Sequence, residues 1–241
     1  MVNVATVLVG SGLGVLLGHR LPQRTRDVVT DALGLVTLLV AALSAVAVTD
    51  AALEKAVGTS APVLIVLGSL LIGGIAGSLL QVEARLEGFG AWLQARMARS
   101  SDSVERRRFI EGFLAASLLF CVGPLTILGS LSDGLGNGAD QLILKATLDG
   151  FAAIAFAASF GWGVAASALT VAVVQGTLTL VGAVVGQVLP EPHLFALTAT
   201  GGLLLVGVGL RLLQVKAVPV GDLLPALLVA PALTQLVILF R

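Results

Sequence analysis

Along this chain the polar residues gather in clusters and the apolar residues form long runs. Eight apolar runs can be bounded by charge or by Gly/Pro punctuation: Val2 to Gly18, Ala32 to Val48, Ala61 to Leu80, Gly112 to Leu131, Ala146 to Phe160, Val164 to Leu189, Leu194 to Leu210 and Ala217 to Phe240. A helix needs about 20 mostly apolar residues to cross the hydrocarbon of a bilayer. Backbone in lipid must also satisfy its own hydrogen bonds, which leaves helices or closed barrels. The alternation of apolar and polar residues that barrel strands require is missing. The pattern therefore predicts an all-α, polytopic transmembrane protein of about eight spans, with residues 1–241 forming a single integral membrane domain. Only Gly161-Trp162-Gly163 separates the fifth and sixth runs, yet together they are too long for one crossing.

Charge gives an independent reading of the same count, because Lys and Arg concentrate in cytoplasmic loops. With the N-terminus outside, the inner loops hold Arg20, Arg24, Arg26, Arg85, Arg96, Arg99, Arg106, Arg107, Arg108, Arg211 and Lys216. The outer side keeps Lys55, Lys145 and Arg241. This split predicts eight spans with both termini outside, whereas a seven-span arrangement puts the last basic loop on the wrong side. The start, "MVNVATVLVGSGLGVLLGHRLP", lacks the basic n-region and the small-x-small site of a secretory signal and reads as a retained first span. Residues 82–108, between spans three and four, read as a cytoplasmic amphipathic basic connector. Val82, Leu86, Phe89, Leu93 and Met97 recur there at helical spacing while Arg85, Arg96 and Arg99 take other positions, the pattern of a helix lying among lipid headgroups. Lipid fits that connector better than nucleic acid does.

Composition agrees with a bilayer setting. The chain is 57% hydrophobic and 12% charged, against roughly 25% charged in soluble domains. The single cysteine, Cys121, has no intramolecular disulfide partner, and no Cys/His cluster has metal-site spacing. No catalytic constellation and no glycine-rich phosphate loop are present, so neither an enzyme nor a cofactor is expected.

Two segments match one another. At a constant offset of 168 positions, Gly14, Gly18, Leu21, Pro22, Thr30, Gly34 and Leu35 meet identical residues at Gly182, Gly186, Leu189, Pro190, Thr198, Gly202 and Leu203. By the span count the first copy enters from outside and the second from inside, so the repeat is inverted. Inverted repeats are typical of secondary transporters and occur in channels, with a site near mid-membrane.

The stretch "FCVGPLTILGSLSDG", Phe120 to Gly134, interrupts the fourth span. Pro124 has no N–H and its ring crowds the carbonyl four residues earlier, at Phe120. Gly123 relaxes the backbone further. The expectation is a kinked or broken helix whose freed backbone groups, with Cys121, Thr126 and Ser130, hold a small solute or ion. A proline kink used for packing, and Cys121 as a small core hydrophobe, are the alternatives. Asp149 stands four residues after Lys145 at the start of span five, which puts both on one helix face as a functional acid or as a simple ion pair. Gln175, in "VVQGTLTL", can hydrogen-bond a solute or join helices. Asp222 reads as the N-cap of span eight, and His19 and His193 as interfacial residues.

The block "FLAASLLFCVGPLTILGSLSDGL", followed by "LKATLDGFAAIAFAASFGWGV", "VVQGTLTL" and the late "GGLLLVGVGLRLLQVKAVPVGDLLPALL", resembles the bacterial YdfK/YqgA-like membrane proteins, a domain of unknown function. The resemblance spans about half the chain. It implies a bacterial inner or plasma membrane protein and places Gly123, Pro124, Gly129, Ser130, Asp133, Asp149, Gln175 and Gly176 in motif positions, without supplying a substrate. Taken with the residues, it leads to the expectation of a secondary transporter for a small solute or ion, with Cys121, Gly123, Pro124, Thr126, Ser130, Asp149 and Gln175 as its binding residues. A channel, and a membrane scaffold or sensor acting through the basic connector, are the rival readings. The expected partners are the lipid bilayer, the transported solute or ion and a second copy of the chain.

Overall fold

A computed structural model describes residues 2–18, 22–97, 103–121, 126, 129–130, 133–134, 136, 138–185 and 190–240. Among the described residues there are helices and turns and no strand. The helices are α1 (Val2–Gly18), α2 (Gln23–Ala45, extended by a 3-10 turn Val46–Thr49), α3 (Ala51–Val57), α4 (Ala61–Leu79), α5 (Val82–Met97), α6 (Ser103–Cys121), α7 (Asp140–Phe160), α8 (Trp162–Val185), α9 (Glu191–Leu212), α10 (Val220–Leu223) and α11 (Ala226–Leu239). Among the described residues, six helical stretches are long and apolar enough to cross a membrane: Gln23–Thr49, Ala61–Leu79, Leu142–Phe160, Trp162–Leu180, Glu191–Leu212 and Val220–Leu239. The apolar α1 has 17 residues. The first turns of α6 carry Glu105, Arg106, Arg107, Arg108 and Glu111.

Local chemistry sets several helix ends. Asp50 is extended and its Oδ1 accepts from Ala52 N at 2.8 Å, which caps α3, and Gly58 at φ 92° ends it. The α7 helix stops at Gly161, whose φ of +72° favours glycine, so the fifth and sixth runs are separate helices. Helix ends and apolar-run ends do not coincide, because apolarity marks the hydrocarbon boundary while a helix propagates past it into headgroups. Thus α2 begins at Gln23 rather than Ala32, and α7 begins at Asp140 rather than Ala146.

The chain divides into two compact units, residues 1–33 with 87–188 and residues 34–86 with 189–241. In the first, α1 lies along α7. Gly10, Gly14 and Gly18 face the backbone of Gly150, Ile154 and Ala158 so closely that a β-carbon on any of them would collide. Residue numbers rise together on both helices, so the pair is parallel. Small residues at each turn permit this approach, and dispersion between backbones holds it. The α6 and α8 helices are also parallel: Gly163 meets Phe109, and Ser117 Oγ donates to Thr170 Oγ1 at 3.1 Å. Further along, Gly134 meets Thr179 and Ala183. Phe120 meets Phe156 edge-on at 6.5 Å, linking α6 to α7.

In the second unit α2 and α9 run antiparallel. A β-carbon on Gly34 would stand 2.7 Å from Leu213 Cγ and 3.4 Å from Gly209 O. One on Gly202 would stand 2.6 Å from Ala45 N and 2.8 Å from Ala41 O. The α4 and α11 segments are antiparallel as well, with Gly68 near Leu233, Gly73 against Ala226 and Gly77 against Asp222. Asp222 does not cap its own helix. Its Oδ1 accepts from Glu83 N at 2.9 Å and so caps α5, because the close contact at Gly77 brings α10 to the start of α5. Glu83 accepts from Arg211 Nη1 at 2.6 Å and from Gly221 N. His193, in the first turn of α9, is buried, with Nε2 2.9 Å from Gln235 Oε1; packing of α11 against that turn covers it. His19 lies outside the described residues.

Candidate functional site

The polar centre of the first unit is built on Asp149. Asp149 lies within Leu142–Phe160, the apolar stretch of spanning length in α7. Lys145 lies one turn earlier on the same face, and its Nζ donates to Asp149 Oδ1 at 2.9 Å and Oδ2 at 2.8 Å. The two side chains are 8% and 9% exposed. A second helix completes the group: Asn3 Nδ2, on α1, donates to Asp149 Oδ2 at 2.8 Å. A carboxylate can only accept, so the Asn3 amide must present its nitrogen there. Its Oδ1 is then a buried acceptor without a partner among the described residues. Asn3 itself is 2% exposed.

Sequence reasoning singled out Asp149 and Lys145 and missed Asn3. The available signal was the stripe Asn3, Val7, Gly10, Gly14, Gly18, all buried on one face of α1. The glycines say which face packs closely, and Asn3 is the amide on that face.

The remaining candidates fall as follows. Gly123 and Pro124 lie outside the described residues. Cys121 ends α6, half-buried, within electrostatic reach of both Lys145 and Asp149. Thr126 is fully buried and its Oγ1 donates to the Phe120 carbonyl at 3.1 Å. That carbonyl is the acceptor a proline at 124 leaves without its helical N–H. Ser130 is fully buried, and its Oγ has no partner among the described residues. Gln175 is buried with Nε2 unpartnered among them. Thr170 is level with Ser117, so Gln175, five residues further on, comes about level with the end of α6. Ser11 Oγ, on the packed face of α1, is a further buried hydroxyl without a described partner. The structure thus joins Asn3, Lys145 and Asp149 directly, sets Cys121 close by, and records no hydrogen bond from Ser130 or Gln175 to that group.

Buried polar atoms are ordinarily hydrogen-bonded, and each exception calls for an explanation. Here a donor amide, an acceptor amide and two hydroxyls are buried without described partners in one helical unit, together with a buried ion pair. Among the described residues no three His, Cys, Asp or Glu side chains come together as a metal site. The arrangement can accept and donate hydrogen bonds and compensate a single charge.

The family described as "Protein of unknown function (DUF554)" matches residues 1–235, and the chain belongs to it. The chain is 32% identical over 233 residues to "Uncharacterized protein YqgA" of Escherichia coli (strain K12), covering 97% of this chain and 94% of that one. It is 28% identical over 229 residues to "Uncharacterized membrane protein YdfK" of Bacillus subtilis (strain 168), covering 95% and 92%. No solved structure matches. This is a membrane protein of that family, with several apolar helices of spanning length.

Proposed function

We propose that the protein is a secondary transporter for a small solute or ion, working by alternating access in a bacterial plasma or inner membrane. The observation that carries this reading is the buried, ion-paired carboxylate of Asp149, inside an apolar helix of spanning length and bonded to a second helix. Ionisable residues at that depth are expensive and mark substrate, ion or proton pathways by default.

The proposed architecture has eight spans, formed by α1, α2, α4, α6 with its continuation, α7, α8, α9 and the α10–α11 segment. Helix polarity supports the count. Spans one and five, and spans four and six, must be parallel, while spans two and seven, and three and eight, must be antiparallel. The four close pairs α1/α7, α6/α8, α2/α9 and α4/α11 have those polarities. With the basic loops inside, both termini lie outside, and α5 rests among lipid headgroups, its Phe89 and Trp92 exposed and stacked at 5.7 Å.

The inverted repeat draws support from two directions. Shifted by 168 positions, Gln23–Ala45 falls on 191–213, where α9 covers Glu191–Leu212, and Ala51–Val57 falls on 219–225, where α10 covers Val220–Leu223. Contacts exchange in the same way. Gly34 meets residues 209 and 213, and its repeat mate Gly202 meets Ala41 and Ala45, the mates of 209 and 213. Such reciprocal contact is the signature of a two-fold axis, here between α2 and α9.

The interruption proposed for span four falls on residues 122–125, outside the described residues, and what bears on it is the hydrogen bond made by Thr126, the next described residue. A threonine hydroxyl in a helix reaches the carbonyl three or four residues back. Thr126 is six beyond Phe120, about 9 Å along a straight helix, yet its hydroxyl is bonded there. An interrupted helix beside a buried carboxylate within a span is the arrangement that holds solutes in discontinuous-helix transporters.

The test is a thermal-shift screen of purified protein against ions, amino acids, organic acids and nucleobases, with Asp149→Asn beside the wild type. A ligand that stabilises the wild type in a concentration-dependent way but not the variant supports the reading. A folded protein that no compound stabilises counts against a small-solute site.

A further inference from the structure

We propose that Asp149 and Asn3 form a binding site for a monovalent cation, and that the Lys145 ammonium is its tethered occupant, displaced when the free ion binds. The inference deepens the transport reading by naming the charge class the site takes.

Three observations carry it. The first is the orphaned oxygen. With Nδ2 committed to the carboxylate, Asn3 Oδ1 is an acceptor 2% exposed with no described donor. A carboxylate and a carboxamide oxygen on facing helices are the donors hard cations choose. The second is charge. The site holds one carboxylate and one ammonium in mutual contact, so exchanging the ammonium for a monovalent cation leaves its net charge unchanged. A divalent ion would strand an extra charge in a dry interior, and an anion would leave Asp149 uncompensated. The absence of a His/Cys/Asp/Glu cluster among the described residues agrees.

The third is that the ammonium has somewhere to go. Lys145 is five residues from the first residue of α7, about 7.5 Å along the axis, within snorkelling reach of the interface for a lysine stem. The carboxylate, four residues deeper on a short stem, stays where it is. Lys145 and Asp149 share one helix while Asn3 belongs to another, so the displaced state differs mechanically as well. An ion held by Asp149 and Asn3 Oδ1 adds a second link from α7 to α1 beside the Asn3–Asp149 hydrogen bond, and Lys145 adds none.

The experiment is thermal unfolding of purified protein in sodium chloride, potassium chloride or choline chloride at constant ionic strength. In the wild type the expectation is a weak, saturable stabilisation by one of the metal ions over choline. Lys145→Met removes the tethered competitor and should lower the half-saturating concentration by roughly tenfold or more. Lys145→Met combined with Asp149→Asn should abolish the difference between salts. If Lys145→Met does not fold, Asn3→Asp, which adds a second carboxylate and keeps Lys145, should strengthen the ion-specific shift instead. Melting that is the same in all three salts for every folded variant overturns the proposal, as does a response to pH alone. Solute-specific stabilisation without any ion effect overturns the cation site and leaves transport standing. Ion-specific stabilisation in a protein whose site is reached from neither side of the membrane supports the cation site and overturns transport.

Discussion

Replacing Lys145 with methionine removes the ammonium from Asp149 while keeping an unbranched apolar stem. The carboxylate left behind is 9% exposed and nine residues into α7, about 13.5 Å from its first residue, too deep for a short side chain to reach water. Breaking a buried pair by removing one partner costs about 3–5 kcal/mol. Asp149→Asn is not the mirror image of this change. It orphans the ammonium, but Lys145 can extend toward the interface, so the loss is closer to that of a charged hydrogen bond, about 1.5–3 kcal/mol. The expected result is an asymmetry: in choline chloride, Lys145→Met melts below Asp149→Asn. At roughly 2–4 °C per kcal/mol for a chain of this size, the gap is several degrees. The double variant, with no charge left to strand, should melt above Lys145→Met. The assay is detergent-solubilised thermal unfolding followed by loss of monodisperse protein. Equal melting of the two single variants, or a lower value for Asp149→Asn, would refute the argument that depth and stem length set the cost.

Other outcomes follow from the packing. Gly14→Leu should prevent α1 from seating on the Ile154 backbone and the Ala157 side chain and leave little folded protein, while Gly12→Leu, at a position with open space, should express and melt normally. Gly202→Ala should lower the melting temperature more than Gly34→Ala, because Gly202 faces backbone and Gly34 faces the end of the Leu213 side chain; combining Gly34→Ala with Leu213→Ala should recover the smaller loss. Thr126→Val leaves the Phe120 carbonyl without its described donor and should cost about 1–3 kcal/mol, with Thr126→Ser close to the wild type, both read by thermal unfolding.

Much of the helical plan was legible because the bilayer makes apolarity and span the same property. What apolarity could not give was where helices begin in the headgroups: α7 starts at Asp140, before its apolar run at Ala146. The Lys145–Asp149 pair was legible because both partners share one helix, four residues apart. Asn3 was not, since its contact with Asp149 spans 146 positions and depends on which face of α1 packs against α7. Asp222 shows the same limit: Pro219 and Gly221 before it suggest a local cap, but the group it caps, Glu83 N, is 139 positions away.

Alternating access to the buried polar groups of the first unit from the two sides of the membrane can be tested without knowing the cargo. Ser130→Cys in a Cys121→Ser background, otherwise free of cysteine, would be treated with a membrane-impermeant thiol reagent in intact cells and in inside-out vesicles. The account predicts labelling from both sides, slowed by any ligand that stabilises the protein. A folded protein labelled from neither side, while a cysteine placed in the exposed basic connector reacts normally, would contradict it.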